Sequence, residues 1–170
     1  MLLSVAGNDT TRQATSHTML ALTRFTDRRR LLIEDLEGRI DTAVEEFVRF
    51  STPVMTFRRT ATADTELGGQ QIAEGDRVVM FYASGNRDEA VFDDPDRFDI
   101  LRSPNRHLGF GGGGAHFCMG APLAKLQLRA VFTNLLRRYP DLEVGAPRYM
   151  VGNFIDAISG MEMQRGARAA

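Results

Sequence analysis

Residues 110–120 read Phe110-Gly111-Gly112-Gly113-Gly114-Ala115-His116-Phe117-Cys118-Met119-Gly120. A strong helical pattern from Leu123 to Tyr139, ended by Pro140, follows directly. The single cysteine of the chain therefore stands just ahead of a helix. There the positive end of the helix dipole and the unpaired N–H groups of the first turn favour a thiolate. The glycines before it let the backbone take positive φ and press against a flat ligand where a side chain would collide. The stretch thus describes a thiolate presented from a backbone pocket.

Working upstream, residues 84–109 hold turn formers and aromatics without periodicity, a long irregular segment of the kind that carries function in compact domains. Ahead of it, Met55–Ala61 and Asp64–Ile72, with the Gly68-Gly69 turn signal, and the strand-like run Arg77–Tyr82 predict a small sheet. The first fifty residues are helical. One long helix is expected from Met1 to about Phe25, with an anomalous polar middle in which Asp9, Thr10 and Thr11 compete for backbone hydrogen bonds and suggest a distortion. Thr26-Asp27 can cap a second helix that Gly38 ends, and Asp41 a third that runs to Phe50 before Pro53. The chain is read as mainly α with a small β component, α+β.

At 170 residues, with 43% apolar and 25% charged side chains, the chain can bury a core and is not disordered by composition. A net charge of −1 gives no electrostatic ground for nucleic acid or an anionic membrane as a partner. No apolar run is long enough for a membrane span and no leader pattern is present, so a cytoplasmic protein is expected. One cysteine excludes an internal disulfide, and one Cys with three scattered His lacks the spacing of a zinc site. Haem needs only one protein ligand and accepts a thiolate. A buried inert thiol, and a thiol hydrolase using Cys118 with His116, stay open on the residues alone.

The stretch 110–120 resembles the haem-ligand signature of the cytochrome P-450 family, with one extra residue between Phe110 and Cys118 relative to the usual spacing. Its glycine-rich form is similar to that of bacterial members that oxidise sterol side chains and branched lipids. Ala6-Gly7-Asn8-Asp9-Thr10-Thr11 resembles the family's oxygen-activation motif, and Glu46-Phe47-Val48-Arg49 its Glu-x-x-Arg pair. The resemblance implies the C-terminal, haem-binding part of a single cytochrome P-450 domain over residues 1–170, beginning inside the oxygen-activation helix, with the N-terminal part absent.

By that resemblance Cys118 is the axial ligand of the iron of haem b. Asp9 and Thr10 deliver protons beside a backbone opening at Ala6 and Gly7. Arg59 and His116 hold the propionates. Phe110, Phe117 and Gly120 lie against the ring and sulfur. Glu46, Arg49 and Arg97 form a buried structural network. The implied function is monooxygenation of an apolar, sterol-like or branched-lipid substrate by O2. Electrons come from NAD(P)H through a ferredoxin and its reductase or a flavin partner, which Lys125 and Arg129 could dock. The competing expectation is a truncated, non-catalytic remnant that binds haem weakly or not at all, prone to aggregate through the apolar faces left by the missing part.

Overall fold

The computed structural model describes residues 2–165, with side chains from residue 6 onward. Helix α1 spans Leu2–Arg24 as one helix. The threonines of its polar middle are accommodated by bonding back to the helix: Thr10 Oγ1 donates to Ala6 O at 2.7 Å and Thr15 Oγ1 to Thr11 O at 2.9 Å. The rest of the polar stretch anchors the C-terminus of the chain. Buried Gln13 accepts the Ile158 N–H through Oε1 at 2.8 Å and faces Ile158 O with Nε2 at 3.4 Å, standing in for a neighbouring strand.

Helix α2 covers Thr26–Glu34 and α3 covers Leu36–Ser51. The break between them falls at Asp35, not at Gly38. Asp35 takes φ −145° and ψ 69°, and its side chain accepts the Gly38 N–H at 3.1 Å, an N-cap that fixes the start of α3. Gly38 lies inside the first turn, where an added Cβ would require the flexible capping carboxylate to shift. At the other end Thr52, in the left-handed conformation at φ 37°, closes α3 by donating its N–H to Val48 O and its hydroxyl to Arg49 O.

The β structure among the described residues is four two-stranded antiparallel ladders in place of one small sheet. Strands β1 (Thr56–Thr60), β2 (Thr65–Leu67), β3 (Gln70–Ile72) and β4 (Arg77–Phe81) pair β1 with β4 and β2 with β3. Gly68 and Gly69, at φ +59° and +81°, make the tight turn inside the β2–β3 hairpin. A single turn of helix, α4 (Tyr82–Gly85), takes the residue expected to end the strand. The cysteine helix α5 spans Ala121–Arg138. Beyond it β5 (Leu142–Val144), β6 (Arg148–Tyr149), β7 (Ile158–Gly160) and β8 (Met163–Arg165) nest one ladder, β6–β7, inside another, β5–β8. Thr23 Oγ1 and Arg29 Nη1 tie this end to α1 and α2 through Val144 N and Leu142 O.

The core lies where α1, α3 and α5 meet. Apolar residues recurring on one face of α3, Ile40, Ala43, Val44, Phe47 and Val48, pack against Leu128, Phe132 and Leu136 of α5 and Leu22 of α1. Phe47 is at its centre, 4.9 Å from the Phe132 ring and stacked on Phe98 at 6.1 Å. Phe98 and Ile100 bring the irregular segment down onto the same core. Exposed apolar side chains gather on the turn of the last hairpin, Met150, Val151 and Phe154, and around the cysteine, Phe117, Met119 and Leu123. No helix among the described residues is long and apolar enough to cross a membrane.

Candidate functional site

Cys118 sits two residues before Gly120, the N-cap of α5, with Pro122 in the first helical turn, where a missing N–H costs nothing. The loop that presents it is closed by its own backbone. Cys118 N donates to Phe110 O at 3.0 Å, Phe117 N to Gly114 O at 3.1 Å, and Gly111 N to Leu108 O at 2.8 Å. Gly111, Gly113 and Gly114 hold φ of +93°, +103° and +76°, conformations that a residue with a Cβ enters only with strain. Gly120 lies beside the sulfur: a Cβ there would be in ordinary contact with Cys118 Sγ, at 3.8 Å. The Cys118 thiol is exposed.

A flat, apolar group with one open metal valence fits this loop. The donor set is a single exposed thiol on a glycine cradle bordered by exposed Phe117 and Met119. No group of three or more His, Cys, Asp or Glu among the described residues could hold a bare metal ion. Cys118 would hold the iron of a haem, with Phe110 and Gly120 beside the sulfur. The hydrolase alternative lacks a base: His116 is exposed, and no hydrogen bond joins it to Cys118 among the described residues.

Behind the loop lies a fully buried ion pair. Arg49 Nε and Nη2 make two 2.7 Å bonds to the two carboxylate oxygens of Glu46. Nη1 donates to Asn86 O and Pro95 O at 2.7 and 2.8 Å, and Nη2 also reaches Arg97 O at 3.1 Å. All five guanidinium N–H donors are thereby used. Glu46 accepts further from Asp99 N at 2.8 Å and Asn105 Nδ2 at 3.0 Å. Arg97 belongs to this network through its carbonyl alone; its side chain is exposed. The second cation on Glu46 is Arg102, whose Nε stands 3.4 Å from Oε2 with its side chain largely buried. The arginine pointing inward is thus five residues later than expected, because Phe98 and Ile100 fill the inward positions between and turn Arg97 to solvent.

The remaining expected residues lie apart. Asp9 is exposed and paired with Arg12 at 2.9 Å, and Thr10 bonds to its own helix. Arg59 is exposed on β1, its guanidinium 5.9 Å from the Phe57 ring centre. No hydrogen bond or ion pair among the described residues joins Asp9, Thr10 or Arg59 to the Cys118 loop. Of the two cations expected to dock a redox partner, Lys125 is bonded to Glu45 at 2.7 Å and Arg129 to Asp41 at 3.0 Å, so neither stands free.

Two features carry no sequence signal. Fully buried Asn86 is a crosspiece: Nδ2 donates to Thr52 Oγ1 at 2.9 Å, Oδ1 accepts Leu108 N at 2.6 Å, and its carbonyl takes Arg49. Glu45, next to the buried Glu46, faces the cysteine loop and bonds both Lys125 and His107, the latter at 3.0 Å. The hydrogen bond from His107, followed by Lys125, lowers the Glu45 pKa below its ordinary 4.5 against the opposing effect of burial. A carboxylate with a depressed pKa stabilises the fold above its unfolded-state pKa, and that stability drains away as pH falls through the folded value. The acid limb of unfolding below pH 4.5 is therefore expected to be shallower in Glu45→Gln than in the native chain, as checked by urea midpoints across that range.

The family model for cytochrome P450 matches residues 39–144. The chain is 50% identical over 159 residues to the methyl-branched lipid omega-hydroxylase of Mycobacterium tuberculosis, covering 93% of this chain and 37% of that protein. It is 47% identical to the steroid C26-monooxygenase of Mycolicibacterium smegmatis, covering 93% of this chain and 36% of that protein. Among solved structures, a Mycobacterium marinum cytochrome P450 in complex with pseudoionone superposes with a TM-score of 0.94 at 60% identity, over 95% of this chain and 39% of that one. The chain thus spans little more than a third of the length of these relatives. With the cysteine loop and the buried Glu46–Arg49 pair both lying inside the matched region, the chain belongs to the cytochrome P450 family.

Proposed function

We propose that residues 1–170 are the C-terminal haem-binding part of a single cytochrome P450 domain, and that the whole protein is a haem-thiolate monooxygenase of an apolar lipid, sterol-like or methyl-branched. The single exposed Cys118 on its glycine cradle carries this reading. When bound, haem b supplies the insertion of one oxygen atom of O2 into a C–H bond while the other leaves as water. Cys118 holds the iron; Phe110 and Phe117 keep water from the sulfur; Arg59 and His116 reach the propionates in the assembled protein. Asp9 and Thr10 carry protons along the exposed face of α1, where Thr10 Oγ1 already donates to Ala6 O and has lone pairs left to accept. Electrons come from NAD(P)H through a ferredoxin and its reductase or a flavin protein, and the protein works in the cytoplasm.

The substrate class rests on the names of the relatives, a branched-lipid omega-hydroxylase and a steroid C26-monooxygenase. The test is turnover: with NADH, ferredoxin and reductase, a methyl-branched fatty acid or a sterol is expected to gain one hydroxyl by mass spectrometry, and Cys118→Ala to yield none. The exposed apolar side chains at Met150, Val151, Phe154 and Met119 favour a second reading, a non-catalytic chain that binds haem weakly and associates with itself. Product formation would exclude it. A protein that sediments as large aggregates and takes up no haem would favour it.

A further inference from the structure

Glu45 bonds two partners on two different elements. Its Oε1 pairs with Lys125 Nζ of α5 at 2.7 Å and its Oε2 with His107 Nε2 of the irregular segment at 3.0 Å. The His107 ring is nearly sealed, its side chain 5% exposed. Gly109 N–H donates to Nδ1 at 3.1 Å, so Nδ1 is an acceptor and the ring proton sits on Nε2, directed at Glu45. Both partners then bear on one residue: the Phe110 ring lies 5.8 Å from the His107 ring and 5.5 Å beneath Lys125 Nζ. Phe110 is the residue whose carbonyl accepts the Cys118 N–H. Gly109, between His107 and Phe110, packs so close to α3 that a Cβ there would stand 2.5 Å from Val48 Cγ1 and 3.4 Å from Val48 O.

We infer that Glu45 is a positioning residue for the cysteine ligand, clamping Phe110 between His107 and Lys125 and thereby fixing the backbone bond that aims Cys118. The inference rests on the haem-thiolate reading for its purpose, and on these contacts for its geometry. Glu45 is half-exposed and is not needed to fill the core, whereas Glu46, one residue on, points into the buried network. Successive helix positions thus serve different tasks: Glu46 holds the irregular segment to α3, and Glu45 holds the start of the cysteine loop to α5.

The test compares the intact haem-loaded protein with Glu45→Ala and Glu45→Gln. Amide hydrogen exchange at Cys118 is expected to rise about tenfold or more in Glu45→Ala, the factor that follows from losing one charge-assisted hydrogen bond, while Leu128 and Phe132 in α5 keep their native rates. The reduced, carbon-monoxide-bound form of Glu45→Ala is expected to lose part of its thiolate-type Soret band, and Glu45→Gln, which can still accept from His107, to retain more of it. A merely structural role would speed exchange throughout α5 and leave the band unchanged. Glu45→Ala with native exchange at Cys118 and a full thiolate band overturns the inference alone. A native protein that binds haem without that band overturns the haem-thiolate reading and the inference with it.

Discussion

Replacing Arg49 with methionine is expected to cost about 3 kcal/mol of unfolding free energy, because the fully buried Glu46 loses its bidentate partner and keeps only Arg102, 3.4 Å away, as a counter-charge. The geometry places this change at the severe end. Both side chains have no exposure, the pair is bidentate at 2.7 Å, and the backbone carbonyls of Asn86 and Pro95 lose the Arg49 donor at once, while that of Arg97 keeps only Arg102 at 3.3 Å. Lysine is expected to rescue little, since its point charge cannot bond a carboxylate along two parallel lines and still reach carbonyls on the other side. Pairing Arg49→Met with Glu46→Gln should recover part of the loss, because the second change removes the stranded charge. Urea unfolding of the three variants measures the effect. By contrast, breaking the exposed Arg12–Asp9 pair is expected to change stability by less than about 1 kcal/mol. Equal losses at the two sites would contradict the assignment of Arg49 as the anchor of the irregular segment.

Phe47→Ala is expected to cost about 3–5 kcal/mol, the range for deleting a fully buried aromatic side chain and leaving a cavity. Phe47 has no exposure and touches the Phe132 ring of α5 and the Phe98 ring of the irregular segment, so its removal loosens two elements from α3 together. Phe132→Ala should cost a similar amount, and the double variant less than the sum, since each single change already forfeits the shared ring contact. Thermal and denaturant midpoints check this. A loss at Phe47 no larger than at an exposed residue such as Phe81 would contradict the packing described.

These two residues also show what was legible in the sequence. Glu46 and Arg49 are three apart and so share a helix face, and the spacing alone brings them together. What they bind comes from segments some forty to sixty residues away, and no local rule reports it. That is why Arg97 was expected to turn its guanidinium inward, when the core positions taken by Phe98 and Ile100 turn it to solvent and bring Arg102 to Glu46 in its place. Gly38 carries the mark of a helix end, yet Asp35 caps α3 and leaves Gly38 in the first turn, its N–H donated to the capping carboxylate. The polar middle of α1 pointed to a distorted helix. Its meaning is tertiary, since Gln13 serves as a strand partner for Ile158 and the threonines bond back along the helix. The cysteine loop was the most legible part, because glycines that need positive φ and a helix just after a lone cysteine are local facts that packing does not alter. Glu45, His107 and Lys125 left no local trace: each is an ordinary polar residue until α3, the irregular segment and α5 meet.

The central claim is that Cys118 is the thiolate ligand of a haem iron, and it is tested most directly by the reduced, carbon-monoxide-bound absorption spectrum of the haem-loaded protein beside that of Cys118→Ala. A strongly red-shifted Soret band in the native protein, absent from the variant, is the result expected for a thiolate from the only cysteine in the chain. The same unshifted band in both proteins would contradict the claim, showing that whatever holds the iron is not Cys118.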